Sequence, residues 1–247
     1  MFMNEFQTGV IQPVECMKEG WELIKDQYWL ILGITFVGML IAGVIPFGIG
    51  IGAMYCGIYY VILLKMDGKP VEFGELFKGF NYFVPGLVAS LILIVPAAIS
   101  FIFIYGTMMA FIFGSMDSRG RLDETVLYGM FATLFVEGIV VALILSCLHA
   151  FTMFAYPLIV DKNLNGFDAF KLSARAVLGN LSGVIGIILV EFVMGVVGYM
   201  ALGIGLYFVL PVMFAGVTVA YRKVFPFAER YNNPPPPYAF QDAGKYR

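Results

Sequence analysis

Apolar residues form six long segments along the chain, separated by short polar stretches. The segments cover residues 28–45, 47–66, 83–114, 125–160, 181–200 and 202–221. A helix of about 20 apolar residues crosses a hydrocarbon core of about 30 Å, so the pattern predicts six transmembrane helices. The third and fourth segments are longer than one crossing requires, and we expect those helices to tilt, kink or protrude.

A short amphipathic stretch precedes each pair of apolar segments. With the period of an α-helix, apolar side chains share one face of residues 14–28, 73–83 and 167–181, and charged side chains take the opposite face. Such helices lie flat in the membrane interface, so we expect Trp21, Phe77 and Phe170 to be interfacial anchors. The predicted fold is an all-α membrane protein in which six transmembrane helices form three hairpins, each preceded by an interfacial amphipathic helix.

The positions of the Lys and Arg residues orient these helices. Six crossings place all 15 basic residues on one side except Arg119 and Arg121. Because basic loops remain in the cytoplasm, both termini are predicted to be cytoplasmic in the plasma (inner) membrane. Splitting both long segments, the third at Pro96, gives eight crossings with every basic residue inside, but most of the pieces are too short to cross. We therefore predict six crossings, and part of the third segment could be re-entrant.

Composition narrows the classes of partner. Hydrophobic residues make up 60% of the chain and charged residues 13%, whereas soluble domains carry about 25% charged residues. The lipid bilayer is the expected partner, and other membrane proteins are candidates. A net charge of −2 without a basic patch argues against nucleic acid.

The chain is predicted to divide into a membrane domain and a tail. Residues 1–225 form a single polytopic transmembrane domain, and residues 226–247 form a disordered, proline-rich cytoplasmic tail. Pro235, Pro236 and Tyr238 match the proline–tyrosine ligand of WW domains, so the tail is a weak peptide-ligand candidate.

Two short matches relate the first hairpin to the third. The sequence GIG at residues 48–50 recurs at 203–205, and MYCGI at 54–58 recurs as MFAGV at 213–217. These matches indicate parallel repeats about an axis along the membrane normal. Chance similarity between glycine-rich helices is the alternative explanation.

The junction after the fourth segment carries a further pattern. Pro157-Leu158-Ile159-Val160-Asp161 is followed by Gly166, Ala169, Ser173 and Asn180. This junction resembles bacterial six-span membrane proteins of unknown function that are related to the membrane domain of glycerophosphodiester phosphodiesterases. The resemblance implies a non-catalytic membrane domain, because in those enzymes a separate soluble domain carries out the chemistry. It implies no active site.

Three ionisable residues lie inside the apolar segments: Glu137, His149 and Glu191. A charge at the bilayer centre costs about 2.5–3.5 kcal/mol on insertion scales, so such residues face protein or water. Glu137 and Glu191 lie at similar predicted depths and could share a proton or bind a cation. Alternatively, each acid is protonated and hydrogen-bonded. His149 lies 12 residues beyond Glu137, about 18 Å along a helix, so these two cannot pair directly, and we expect a buried, hydrogen-bonded histidine.

Other candidate residues concern packing rather than chemistry. We expect five glycines to allow close approach of helices: Gly48, Gly50, Gly52, Gly195 and Gly198. A single histidine and three scattered cysteines argue against a metal site, and no cofactor is expected. Metalloprotease, nucleophile-elbow and P-loop motifs are missing from the sequence.

These patterns favour a non-catalytic polytopic membrane protein that acts as a scaffold, a partner-binding domain or a lipid-organising domain. The alternative is a small-solute or proton-coupled transporter that uses the intramembrane residues Glu137 and Glu191. A cavity joining these two residues would favour the transporter.

Overall fold

The computed structural model describes residues 6–114, 124–201 and 203–226, and within these ranges it contains helices and no strand. The side chains of Phe47 and Glu124 are also outside the description. Predictions on Arg119, Arg121 and the tail residues Pro235, Pro236 and Tyr238 therefore lie outside the described residues. The α-helices are α1 Pro13–Ile24, α2 Tyr28–Val44, α3 Ile51–Met66, α4 Phe83–Gly114, α5 Glu124–Thr152, α6 Ala155–Lys162, α7 Gly166–Gly179, α8 Leu181–Met200 and α9 Gly205–Val224.

Five helical stretches in the described ranges are long and apolar enough to cross a membrane: Pro13–Val44, Phe73–Gly114, Thr125–Lys162, Leu181–Met200 and Ile204–Val224. They indicate an integral membrane protein. The predicted crossing at residues 47–66 is shorter in the structure, because α3 begins at Ile51 and has 16 residues. Pro46 and Gly48 form a turn before it, and Gly48 adopts a φ of 69°, which glycine tolerates without strain.

The long third segment is a single helix. α4 continues through Pro96, so the structure contains neither the split at Pro96 nor a re-entrant segment there. A proline inside an apolar helix is tolerated when local adjustments satisfy the freed backbone groups.

The long fourth segment is broken, in line with the expectation that it tilts, kinks or protrudes, although its length did not give the position of the break. α5 ends at Thr152 and α6 begins at Ala155. Pro157 explains the position, because a proline ring clashes with the carbonyl four residues earlier, here that of Met153. At the break, the backbone N–H of Phe154 donates a hydrogen bond to Oγ of Ser173 in α7 at 3.1 Å. A side chain of α7 therefore accepts the hydrogen bond of a backbone N–H at the break.

The three amphipathic stretches pack on other helices of the bundle. α1 runs antiparallel to α9, since Gln7 N–H bonds the carbonyl of Val224 and the Tyr28 hydroxyl bonds the carbonyl of Phe208. The second stretch, Phe73–Tyr82, is a 3₁₀ helix rather than an α-helix and packs on α3. α7 packs on α4, α5 and α6.

The apolar faces of the three predicted interfacial helices thus contact protein as well, and their flat orientation at the membrane stays a prediction. One stripe of each stretch is buried against protein: Cys16, Met17, Gly20 and Ile24 in α1, Leu76 and Gly79 in the 3₁₀ helix, and Ala169, Ser173, Ala176 and Val177 in α7. Some of the other apolar side chains, such as Leu23 and Leu172, are half-buried against the core, and others face outward. Trp21 and Phe77 are exposed, and Phe170 is half-buried.

A buried ion-pair cluster ties together the C-terminal ends of α3, α6 and α9. Arg222 donates two hydrogen bonds to the Asp161 carboxylate, at 2.8 and 3.1 Å, and approaches Asp67 to 3.5 Å. The Tyr221 hydroxyl donates a further bond to Asp161. Because their last turns meet at one cluster, α3, α6 and α9 end on the same side of the bundle.

Candidate functional site: a cavity between the helices

A cavity of about 560 Å³ lies among α3, α4, α5, α6, α8 and α9. Most of its wall is apolar, and its polar groups come from a small set of side chains: Tyr55, Tyr59, Ser90, His149, Thr152, Tyr156 and Glu191. The volume of the cavity and its lining are typical of a small-molecule site, in which a few polar groups are set in an apolar wall.

Glu191 and His149 lie next to each other on the wall of this cavity. Oε2 of Glu191 lies 4.0 Å from Nε2 of His149, and the Glu191 side chain is 17% exposed while that of His149 is 55% exposed. The separation is too long for a direct hydrogen bond. It leaves room for a water molecule or a polar group of a ligand to bridge the acid and the imidazole.

Four aromatic rings form another part of the wall. Tyr55 and Tyr59 lie one turn apart on α3, Tyr156 belongs to α6, and Phe214 belongs to α9. Each ring contacts two others, with centroids separated by 5.1 to 6.4 Å, so the four form a closed circuit. Ser90 of α4 lies at the edge of this circuit, where its hydroxyl is 3.4 Å from that of Tyr156.

Sequence reasoning missed this aromatic circuit. Tyr55 and Tyr59 are four residues apart on an apolar helix, and that spacing places two hydroxyls on one face. The signal was therefore present for α3. Nothing in the sequence indicated that Tyr156 and Phe214, from distant helices, complete the circuit.

The cavity opens between α5 and α8. His149 on α5 and Phe192 on α8 are exposed although both line the cavity. α5 packs mainly on α4 and α7 and touches α8 little, so a gap remains beside these two residues.

Glu137 lies elsewhere, which corrects the predicted pairing with Glu191. Oε1 of Glu137 accepts a hydrogen bond from the Thr107 hydroxyl of α4 at 3.0 Å, and its Oε2 is buried without a partner among the described residues. Glu137 does not line the cavity. Because α5 is continuous, Glu137 is about 18 Å along the helix from His149, the residue that does meet Glu191. The acid that sequence analysis paired with Glu191 is therefore too far away, and the histidine takes its place.

The predicted packing glycines divide into three groups. A Cβ on Gly52 would lie 2.2 Å from the backbone of Gly86, and one on Gly198 would lie 2.9 Å from that of Leu206, so these two do allow close approach of helices. Gly48 and Gly50 serve the turn before α3, where a Cβ would meet Ile94, Ile51 or Ile45 side chains. Gly195 contacts no other helix, because it faces the cavity.

The residues of the junction pattern turn out to support the fold. Asp161 holds Arg222, and Ser173 accepts the bond from Phe154. A Cβ on Gly166 would lie 2.3 Å from the carbonyl oxygen of Pro85, so α7 begins directly against α4. Asn180 donates to the carbonyl oxygens of Gln7 and Ala176 and thereby joins the α7–α8 corner to the segment before α1.

Fold and site together define a helical integral membrane protein with a cavity among its helices. No family model, curated protein sequence or solved structure matches the chain. The resemblance of the junction to phosphodiesterase-associated membrane domains stays a prediction. Within residues 6–114, 124–201 and 203–226, no three His, Cys, Asp or Glu side chains converge as metal ligands would.

Proposed function

We propose that the protein is a small-solute carrier of the membrane and that Glu191, assisted by His149, is its coupling group. The observation that carries the proposal is the place of Glu191, on the wall of a cavity of about 560 Å³ and 4.0 Å from a histidine. An acid and an imidazole at this spacing can exchange a proton through a bridging water or solute group.

The energetics of an intramembrane carboxyl support this choice over a scaffold. Burying an acid in an apolar bundle is unfavourable unless the group is hydrogen-bonded or reaches water. A purely structural Glu191 would be packed against a donor. Instead, it faces open space, and Gly195, one turn further along α8, leaves that space unfilled.

This proposal reverses the preference drawn from the sequence. The sequence favours the scaffold because catalytic motifs are missing, because it contains a single histidine, and because no single segment contains a charged pair. The pair that supports a carrier joins two different helices, α5 and α8. Glu137, the other member of the predicted transport pair, has no part in this proposal.

The test is uptake by proteoliposomes of a mixed extract of water-soluble and amphiphilic metabolites under an imposed pH gradient, read by mass spectrometry. We expect at least one compound to accumulate with the wild-type protein and not with Glu191→Gln, which keeps the shape of the side chain and cannot ionise. Glu137→Gln is the matched control, and it should transport like the wild type. If no compound distinguishes wild-type vesicles from empty ones, the carrier function is refuted and the scaffold remains.

We also propose that α2, α3, α4, the α5–α6 pair, α8 and α9 make six crossings as three hairpins, with cytoplasmic termini. The support is the distribution of basic residues and the common end of α3, α6 and α9 at the Arg222 cluster. Single cysteines at Ser118 and Ala243, in a background in which Cys16, Cys56 and Cys147 are serine, test it on intact cells. An impermeant thiol reagent should label position 118 and spare position 243, and the opposite result would reject this orientation.

A further inference from the structure

We propose that the cavity recognises a lipophilic organic cation, such as a substituted ammonium group attached to an apolar body, with Glu191 as its counter-ion and the four-ring circuit as its aromatic wall. This inference rests on the proposed function and names the class of solute.

The charged side chains of the cavity wall favour a cation over an anion. Glu191 is the one carboxylate that lines the cavity within the described residues, and no Lys or Arg side chain lines it there. Among the described residues, the one basic side chain on the wall is that of His149, and its imidazole can be neutral. An anionic solute would face an acid without a fixed positive partner, whereas a cation would neutralise Glu191 in a region of low dielectric.

The aromatic circuit also favours a cation. A cation is attracted to the face of an aromatic ring when it lies within about 6 Å of the centroid, and clusters of rings bind quaternary ammonium groups in this way. Tyr55, Tyr59, Tyr156 and Phe214 bring four rings to one wall. Glu191 lines the same cavity as these four rings, so the acid and the rings belong to one site.

The rest of the cavity wall is apolar, which indicates that the part of the ligand away from its charge is apolar too. Leu93, Ile94, Ile188 and Leu210 complete the lining with hydrocarbon side chains. The opening beside His149 and Phe192 offers a lateral route between two apolar helices, α5 and α8. An apolar body with a single cationic group fits both the wall and this lateral route.

The test uses a pair of ligands that differ in charge and not in shape: benzyltrimethylammonium and neopentylbenzene, in which carbon replaces nitrogen. Binding of each to the full-length protein in lipid nanodiscs is measured by equilibrium dialysis, with empty nanodiscs subtracted. We expect the cation to bind at least tenfold more tightly than the neutral molecule, a difference of about 1.4 kcal/mol.

Four variants, each checked for folding by size-exclusion chromatography, locate the site. Glu191→Gln should weaken cation binding at least tenfold and leave neopentylbenzene unchanged. Tyr59→Phe keeps the ring and should bind the cation like the wild type, whereas Tyr59→Leu should bind it several-fold more weakly. Glu137→Gln replaces an acid outside the cavity and serves as the matched control. It should change the binding of neither ligand.

The outcomes separate this inference from the proposed function. Equal binding of the two ligands, or cation binding that Glu191→Gln does not weaken, overturns the cationic class and leaves a carrier of neutral solutes. Failure of the wild-type protein to bind the cation also overturns it, and the metabolite uptake experiment then decides the carrier function independently.

Discussion

The interface of α1 with α9 and the pair formed by α4 and α5 use glycine in opposite ways. Gly20 of α1 and Gly216 of α9 meet so closely that a Cβ on Gly20 would lie 2.6 Å from the backbone nitrogen of Gly216. In the α4–α5 pair, a Cβ on Gly106 or Gly138 would have no other helix's atom within 4 Å among the described residues. The same residue type therefore marks tight contact in one region and bare helix surface in the other.

Burial shows the same difference. Half of the most apolar stretch of Ile204–Val224 is buried inside the protein, and none of that of Thr125–Lys162 is. α9 is thus the centre of the bundle, and α5 is at its edge. The cavity lies where these regions adjoin, because His149 comes from the loosely held α5 and Glu191 from α8, which packs on α9.

The largest expected effect comes from the ion-pair cluster of the packed region. Arg222→Ala should lower the free energy of unfolding by about 3–5 kcal/mol, because the Asp161 carboxylate remains buried after losing its bidentate partner. Thermal unfolding in detergent measures the loss. Lys223→Ala, at the next position, removes an exposed pair with Glu19 and should cost about 1 kcal/mol or less. Equal effects of the two variants would show that the cluster does not hold the helix ends together.

The two uses of glycine can be compared with one substitution. Gly20→Ala should destabilise the protein by about 1–3 kcal/mol, since the added methyl group meets backbone that can yield only by separating α1 from α9. Gly138→Ala adds the same methyl group to an open surface and should stabilise α5 by up to about 1 kcal/mol through helix propensity. Unfolding midpoints that shift in the same direction would contradict the comparison.

The smallest effect is expected inside the cavity. Gly195→Ala meets no atom within 4 Å, so its stability should change by about 1 kcal/mol or less, in the stabilising direction. The methyl group occupies space one turn from Glu191, so uptake and ligand binding should fall while the unfolding midpoint holds. A large loss of stability would mean that Gly195 packs against another helix after all.

Hydropathy was sufficient for the helical class and the approximate bounds of the apolar segments, because the period and length of an apolar run are local properties. The break at Met153–Phe154 shows the limit of this reasoning. Pro157 was visible in the sequence, but the acceptor that satisfies Phe154 is Ser173, a residue of another helix. The amphipathic stripe of α1 was also visible, whereas its partner, α9, was not.

The same limit applies to the site. Glu191 and His149 were identified from their presence inside apolar segments, yet they were assigned to different environments. Depth along a helix can be counted from the sequence, but the direction in which a helix turns its side chains around the bundle cannot. For α8, the helix of Glu191, close contact of Gly198 with Leu206 of α9 helps to fix that rotation.

The contact between Gly20 and Gly216 has a consequence for biosynthesis. The two glycines are nearly the whole described chain apart, and α1 leaves the ribosome long before α9 exists. Until α9 has been made, the stripe of α1 formed by Cys16, Met17 and Ile24 lacks its main packing partner. Contacts of such long sequence separation form late in folding. A nascent chain that stops before Gly216 therefore displays an uncovered apolar helix, which quality-control factors of the membrane can recognise.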